Sequence, residues 1–296
     1  MNGDILARRA AYSDRDIVRS RRCPVSNERE IFSQREGQWG SYRSDPVEME
    51  TGAKLVLNPA CEYSRKRFVY RKAEVPEILF MSKVVKPGDS VLDVGANIGY
   101  WSTALSAQVG PRGRVYAFEP SPVTLEYLRK NIAINNCGNV SVFPVGLSSE
   151  DKTGRFWLSK DHTGSSRLDD DSSKKDESIE IEVVALDSIC GSFDLDRISF
   201  IKIDVEGGEV KILEGAKKLL SKISPIILLE CNSSLYKESG VSLARFIAIC
   251  DSLGYIPHKV PSLERLREGR LSLEEFRLAP DAECRENIIL TKNPIV

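Results

Sequence analysis

The chain has almost no net charge. Its 42 lysines and arginines stand against 43 aspartates and glutamates, a formal charge of −1 over 296 residues. A nucleic-acid surface needs a basic field or track, and this composition supplies none. The base-stacking catalytic motif N/D-P-P-Y/F is also missing, which removes the usual sign of an enzyme that works on a flipped base. No apolar run approaches the length of about twenty residues that spans a bilayer. The opening MNGDILARRAAYSD contains no apolar core of a secretory leader, so none is expected. The cysteines Cys23, Cys61, Cys137, Cys190, Cys231, Cys250 and Cys284 form no CxxC pair, which argues against a structural zinc site. Reduced thiols in a cytoplasmic protein are the expectation. No internal repeat is evident. What remains is a chain with 41% hydrophobic residues, enough for one large α/β domain with a buried core.

One further shortage is the most informative. The stretch from Ser90 to Glu119 reads as strand, glycine turn, helix and second strand, with Asp93 near the end of the first strand and Glu119-Pro120 at the tip of the second. A dinucleotide turn of the G-x-G-x-x-G type would need glycines at 95, 97 and 100; the chain has Gly95, Asn97 and Tyr100. A pyrophosphate is therefore a poor fit. The turn Gly95-Ala96-Asn97, with Gly99 after it, is small enough to bring backbone N–H groups close to a ligand. Glu119 lies where a carboxylate accepts the two hydroxyls of a ribose. A ligand with a ribose and no phosphates, S-adenosyl-L-methionine (SAM), is the expected cofactor.

Further along, Val140 to Val145 reads as a third strand whose tip, Val145-Gly146-Leu147, carries no acid. Backbone groups near Gly146 are then expected to read the adenine, with apolar side chains on its faces. Gly154–Leu158 and Ile179–Ala185 read as two strands flanking a highly charged loop. Ile198 to Val205, ISFIKIDV, reads as a buried parallel strand. Ligands of open α/β sheets sit beyond the carboxyl ends of strands at the switch in strand order, so Asp204 should face the methyl donor. Asp204 and Glu206 are the nearest acids to take a proton. Glu209 is expected to cap the helix that follows. Upstream, Arg67 to Val85 reads as helical, with Pro76 in a first turn, and Gly52–Pro59 reads as a short strand.

The segments VLDVGANIGYWS, VYAFEPSP, LRKNIAINN and FIKIDVEGGEVKILEGA together resemble the FkbM family of SAM-dependent methyltransferases, over about Phe68 to Lys292. The resemblance implies an α/β class I methyltransferase fold, Rossmann-like. Its seven-stranded sheet is mostly parallel with an antiparallel last strand, and helices cover both faces. It places the catalytic domain at residues 67–296, behind an arm and accessory segment at 1–66. That arm reads either as surface-hugging or disordered, or as contacting the substrate or a second copy in a homodimer.

For the cofactor the resemblance points to Asp93, Gly95, Ala96, Asn97, Gly99, Glu119, Pro120, Gly146 and Asp204. It implies a helix over the site bringing an acid, matched by Glu74 or Glu77. It also implies a Gly- and Ser-containing loop near the opening, matched by His162 to Ser166, with His162 as a candidate base. The implied partner is a small hydroxylated acceptor: a sugar, glycolipid, polyketide or similar metabolite. N-methylation of a small molecule or peptide, and a SAM-binding module without catalysis, are the alternatives. The family requires no metal and none is assigned. Asp204, Glu230 and Asn232 end adjacent strands and carry the hard oxygens that Mg²⁺ prefers, as in some O-methyltransferases of this fold.

Overall fold

The structure is a computed structural model that describes residues 25–43, 45–71, 73–158, 167–168, 178–194 and 197–295. The loop His162–Ser166 and the first part of the arm lie outside the described residues.

A helix at Val25–Trp39 leads to a small hairpin, β1 (Val47–Glu48) and β2 (Lys54–Leu55), and to helices at Glu62–Tyr70 and Val75–Val84. Then come β3 (Ser90–Val94), a helix at Tyr100–Val109, β4 (Arg114–Phe118), a helix at Pro122–Ile134 and β5 (Val140–Phe143). Four strands follow: β6 (Gly146–Leu147), β7 (Lys152–Trp157), β8 (Arg167–Leu168) and β9 (Ser178–Val184). The rest comprises β10 (Ile198–Ile203), β11 (Ile226–Asn232), β12 (Ile256–Lys259) and β13 (Arg285–Thr291), with short helices between.

The central sheet has seven strands in the order β12-β13-β11-β10-β3-β4-β5. β11, β10, β3, β4 and β5 run parallel, and β13 is antiparallel to both its neighbours. This is the expected class I methyltransferase architecture. Strand periodicity builds its two apolar faces. Leu92, Ile201, Ile203 and Leu229 pack into one buried cluster, and the alternating residues Val91, Phe200 and Leu228 pack into the other. Burial on both sides is why β10 reads as a near-continuous apolar run. The helix at Leu243–Leu253 shows how a cover is cut to length. Leu243, Phe246, Ile249, Cys250 and Leu253 supply one buried stripe. The Ser242 side chain caps its start and Gly254, at φ 73°, ends it.

Two local readings change. The stretch from Arg67 to Val85 is not one helix. Helix Glu62–Tyr70 ends at Arg71 (φ 59°), and Glu74 (φ 49°) opens helix Val75–Val84. Pro76 has no amide hydrogen to extend an incoming helix, but it fits a first turn. Within Gly52–Pro59 only Lys54–Leu55 is strand. The two strands read near Gly154–Leu158 and Ile179–Ala185 are present as β7 and β9, and they pair with each other outside the central sheet, in a second sheet ordered β6-β9-β7-β8. Tyr42, Val47, Met49, Leu55 and Leu57, from the accessory segment, pack in the same cluster as Val91 and Phe200. Among the described residues no helix is long and apolar enough to cross a membrane.

Candidate active site

The carboxyl ends of β3, β4 and β10 open into a cleft whose empty volume, open solvent included, is about 650 Å³. Its floor is the glycine turn. Gly95 has φ +77°, and a Cβ there would stand 1.9 Å from the Asp204 carbonyl oxygen, so only glycine fits. The neighbouring strand end is held by the Asp204 N–H, which donates to the Val94 carbonyl at 3.0 Å.

The turn was expected to present its N–H groups to a ligand, and it does not. Gly95 and Ala96 both donate to the Phe118 carbonyl, at 3.0 and 2.9 Å. Asn97 donates to Glu119 Oε2 at 2.9 Å, Ile98 to Asn97 Oδ1 at 2.8 Å and Gly99 to the Ala96 carbonyl at 2.9 Å. These amides are bound internally because β4 ends beside the turn and brings its last carbonyl and carboxylate to it. The turn therefore offers a close approach and a surface, with no set of spare donors for phosphate.

Glu119 is 6% exposed. One carboxylate oxygen accepts from Asn97 and the other from the Ser121 N–H at 2.9 Å, which fixes the group at the cleft. Burial pushes its pKa up to about 7, against the lowering effect of those two amide bonds. Each oxygen keeps a second lone pair for an incoming hydroxyl. Pro120 lines the cleft beside it.

Asp93 is fully buried and accepts from Ser102 Oγ at 2.5 Å. Its other oxygen lies 3.8 Å from Lys202 Nζ. Lys202 also stands 3.3 Å from Asp204 Oδ2 and donates to the Gly95 carbonyl at 3.1 Å. Asp93 is thus a buried support of the turn, one layer below the cleft, while Asp204 keeps 41% of its side chain exposed.

Val145, Gly146, Leu147, Phe156 and Leu168 form the wall beyond Glu119. The first three bring the acid-free strand end near Gly146 to the cleft. Phe156 and Leu168 come from the second sheet, and nothing in the sequence reading placed them there. Their only local sign is an apolar side chain in a short polar strand.

Glu206, at φ 56°, lines the cleft next to Asp204. Glu209 Oε1 accepts from the Val205 and Gly207 N–H groups at 3.1 and 3.4 Å, so it braces the turn before its helix and does not cap the helix's own amides as expected. Burial raises its pKa to about 8. Asn232 Oδ1 accepts from the Leu235 N–H at 3.3 Å, and its amide donates to Glu230 Oε1 at 3.3 Å. Asn232 therefore caps its own helix, Ser233–Glu238, and its amide is tied to Glu230. Among the described residues no group of three or more His, Cys, Asp or Glu is placed to hold a metal ion.

Of the two acids expected from the covering helix, Glu77 accepts from Asn287 at 2.9 Å. Glu74 accepts from Trp101 Nε1 at 2.6 Å and from Arg67 at 3.3 Å. Burial raises the Glu74 pKa, and the Asp204 charge acts in the same direction. The buried charge that sequence reasoning passed over is Lys202, whose one signal was a charged residue inside an apolar strand.

The chain is 28% identical over 223 residues to the AMB antimetabolite synthetase AmbE of Pseudomonas aeruginosa, a match covering 63% of this chain and 10% of that protein. It therefore spans about a tenth of that relative's length. It is 26% identical to the hexuronic acid methyltransferase AglP of Haloferax volcanii, covering 64% of this chain and 75% of that one. It is 27% identical to the 2-O-methyltransferase NoeI of Sinorhizobium fredii, covering 53% and 69%. The family model of the methyltransferase FkbM domain matches residues 93–257, from the buried Asp93 through the Lys202–Asp204 strand end to β12. That is over half of the chain, and the chain belongs to the FkbM methyltransferase family.

Proposed function

We propose that this protein binds SAM and transfers its methyl group to a hydroxyl of a small polyhydroxylated acceptor, a sugar or related metabolite. The observation that carries the reading is Glu119. Its carboxylate is held at the tip of β4 over a turn whose own amides are already bound, with an apolar wall beyond. That acceptor carboxylate and apolar wall suit a ribose diol and an adenine, and the turn offers no free donors to a phosphate.

The bound cofactor supplies a methyl group activated by a positively charged sulfur. The residues do the rest. Glu119 accepts the ribose hydroxyls, and Val145, Leu147 and Phe156 pack against the base. Asp204 faces the positively charged end of the donor from the tip of β10. A hydroxyl is a weak nucleophile until its proton leaves, and Asp204 and Glu206 are the acids at the cleft that take it. Positioning donor and acceptor in line supplies most of the remaining rate. The similarity to AglP, a hexuronic acid methyltransferase, and to NoeI, a 2-O-methyltransferase, supports a sugar-like acceptor and an oxygen target. The six described cysteines are all free thiols, which suits a cytoplasmic reaction.

Calorimetry of SAM and S-adenosylhomocysteine with wild type and Glu119→Ala tests this. Loss of a charge-assisted ribose contact weakens binding by about 1.5–3 kcal/mol. A folded wild type that binds neither ligand would overturn the proposal. With binding established, a screen of neutral and acidic sugars for methyl transfer identifies the acceptor.

A further inference from the structure

Lys202 is a lysine in the middle of the buried sheet. It is 5% exposed, and its neighbours along the strand, Ile201 and Ile203, are core residues. An ammonium in that position is costly unless it is paired and hydrogen-bonded. It is both. Its Nζ donates to the Gly95 carbonyl at 3.1 Å and lies 3.3 Å from Asp204 and 3.8 Å from Asp93. Burial pulls the pKa of this group down, yet Asp204, Asp93, Glu74 and Tyr63 face it and together hold it above the ordinary lysine value. Asp93 belongs to β3 and Gly95 to the turn after it, whereas Asp204 ends β10. The ammonium therefore joins the two sides of the strand-order switch at a single point.

We propose that Lys202 is a positioning residue of the donor site, tying the glycine turn to Asp204 and so fixing where the Asp204 carboxylate stands in the cleft. The inference rests on the reading of this cleft as a SAM site. Apolar packing alone would be met by methionine at this position. What methionine cannot do is hold a carboxylate and a carbonyl from different strands in one place.

The test is SAM binding by calorimetry on Lys202→Met, Asp204→Asn and the double variant, each checked for folding by thermal melting. If Lys202 acts through Asp204, Lys202→Met weakens SAM binding about 10- to 100-fold in the wild-type background and far less in the Asp204→Asn background. Lys202→Arg, which keeps the charge, restores part of the loss. Lys202→Met also strands the Asp93 charge in the core. The pair Asp93→Asn and Asp93→Asn/Lys202→Met removes that charge from both arms and repeats the comparison if the single variant does not fold. Losses that simply add across the cycle, or a change within about twofold on removing Lys202, overturn the proposal. In that event a wild type that still binds SAM leaves the functional reading intact; a folded wild type that binds no SAM removes the functional reading itself.

Discussion

Glu209 opens its helix and folds back onto the turn before it, accepting from the Val205 and Gly207 N–H groups while buried to 1% exposure. Its pKa of about 8 lies above the ordinary glutamate value of 4.5, so the folded protein keeps a proton that the unfolded chain releases. The sign follows from linkage. Stability from this group is fully present below about pH 4.5 and is lost as pH rises through about 8. Glu119, at about 7, acts in the same direction. Glu209→Gln keeps the accepting oxygen and removes the titration. Urea unfolding between pH 5 and 8.5 should show a flatter pH dependence for the variant, with a difference on the order of a few kcal/mol at most. An unchanged slope would show that Glu209 titrates normally.

Glu209, Glu119 and Asp204 were legible because each sits at a fixed distance from a glycine turn or a strand end. Lys202 was not. Its partners Asp93 and Gly95 lie more than a hundred positions away, and within ISFIKIDV it looked like part of an apolar run.

The hairpin β1–β2 and the glycine turn meet at a single side chain on the helix Pro122–Ile134. Asn131 is fully buried. Its Oδ1 accepts from the Val56 N–H at 2.7 Å, and its amide donates to the carbonyls of Val56 at 3.1 Å and Ile98 at 2.7 Å. Asn131→Leu leaves three backbone groups without this partner. It should lower stability by about 2–4 kcal/mol, read as a reduced urea midpoint at unchanged slope. A loss below about 0.5 kcal/mol would mean that water replaces the amide.

The parallel strands were readable because two-sided burial writes itself as β-branched runs, and the helix after Glu119 because Pro122 and an apolar face mark it. The second sheet was readable as two strands but not as a separate layer, because register and partner are set by tertiary contacts that alternation does not encode. The break between Arg67 and Val85 was hidden as well. Arg71 and Glu74 take left-handed backbone angles that arginine and glutamate rarely adopt. There Glu74 is held by Trp101 and Arg67, which the chain supplies from two other elements.

At the scale of the molecule, the cleft is made by strands that also build the core. β3, β4 and β10 each contribute a buried segment and an active-site tip. Ligand binding should therefore stabilise the whole fold. SAM at about a hundred times its dissociation constant adds about 2.7 kcal/mol, a rise in Tm of about 4–8 °C. Differential scanning fluorimetry measures this directly, and at the same SAM concentration Glu119→Ala should show a smaller rise. A Tm indifferent to SAM would separate the cleft from the stability of the sheet.

The glycine turn, with its amides already engaged by Phe118, Glu119 and its own residues, has a last consequence for life in a crowded pool of metabolites. ATP and the nicotinamide cofactors share adenine and ribose with SAM, but the amides of this turn give their phosphates no free donors. On the proposed reading of the cleft, SAM binding should be insensitive to added ATP or NAD, which competition calorimetry measures.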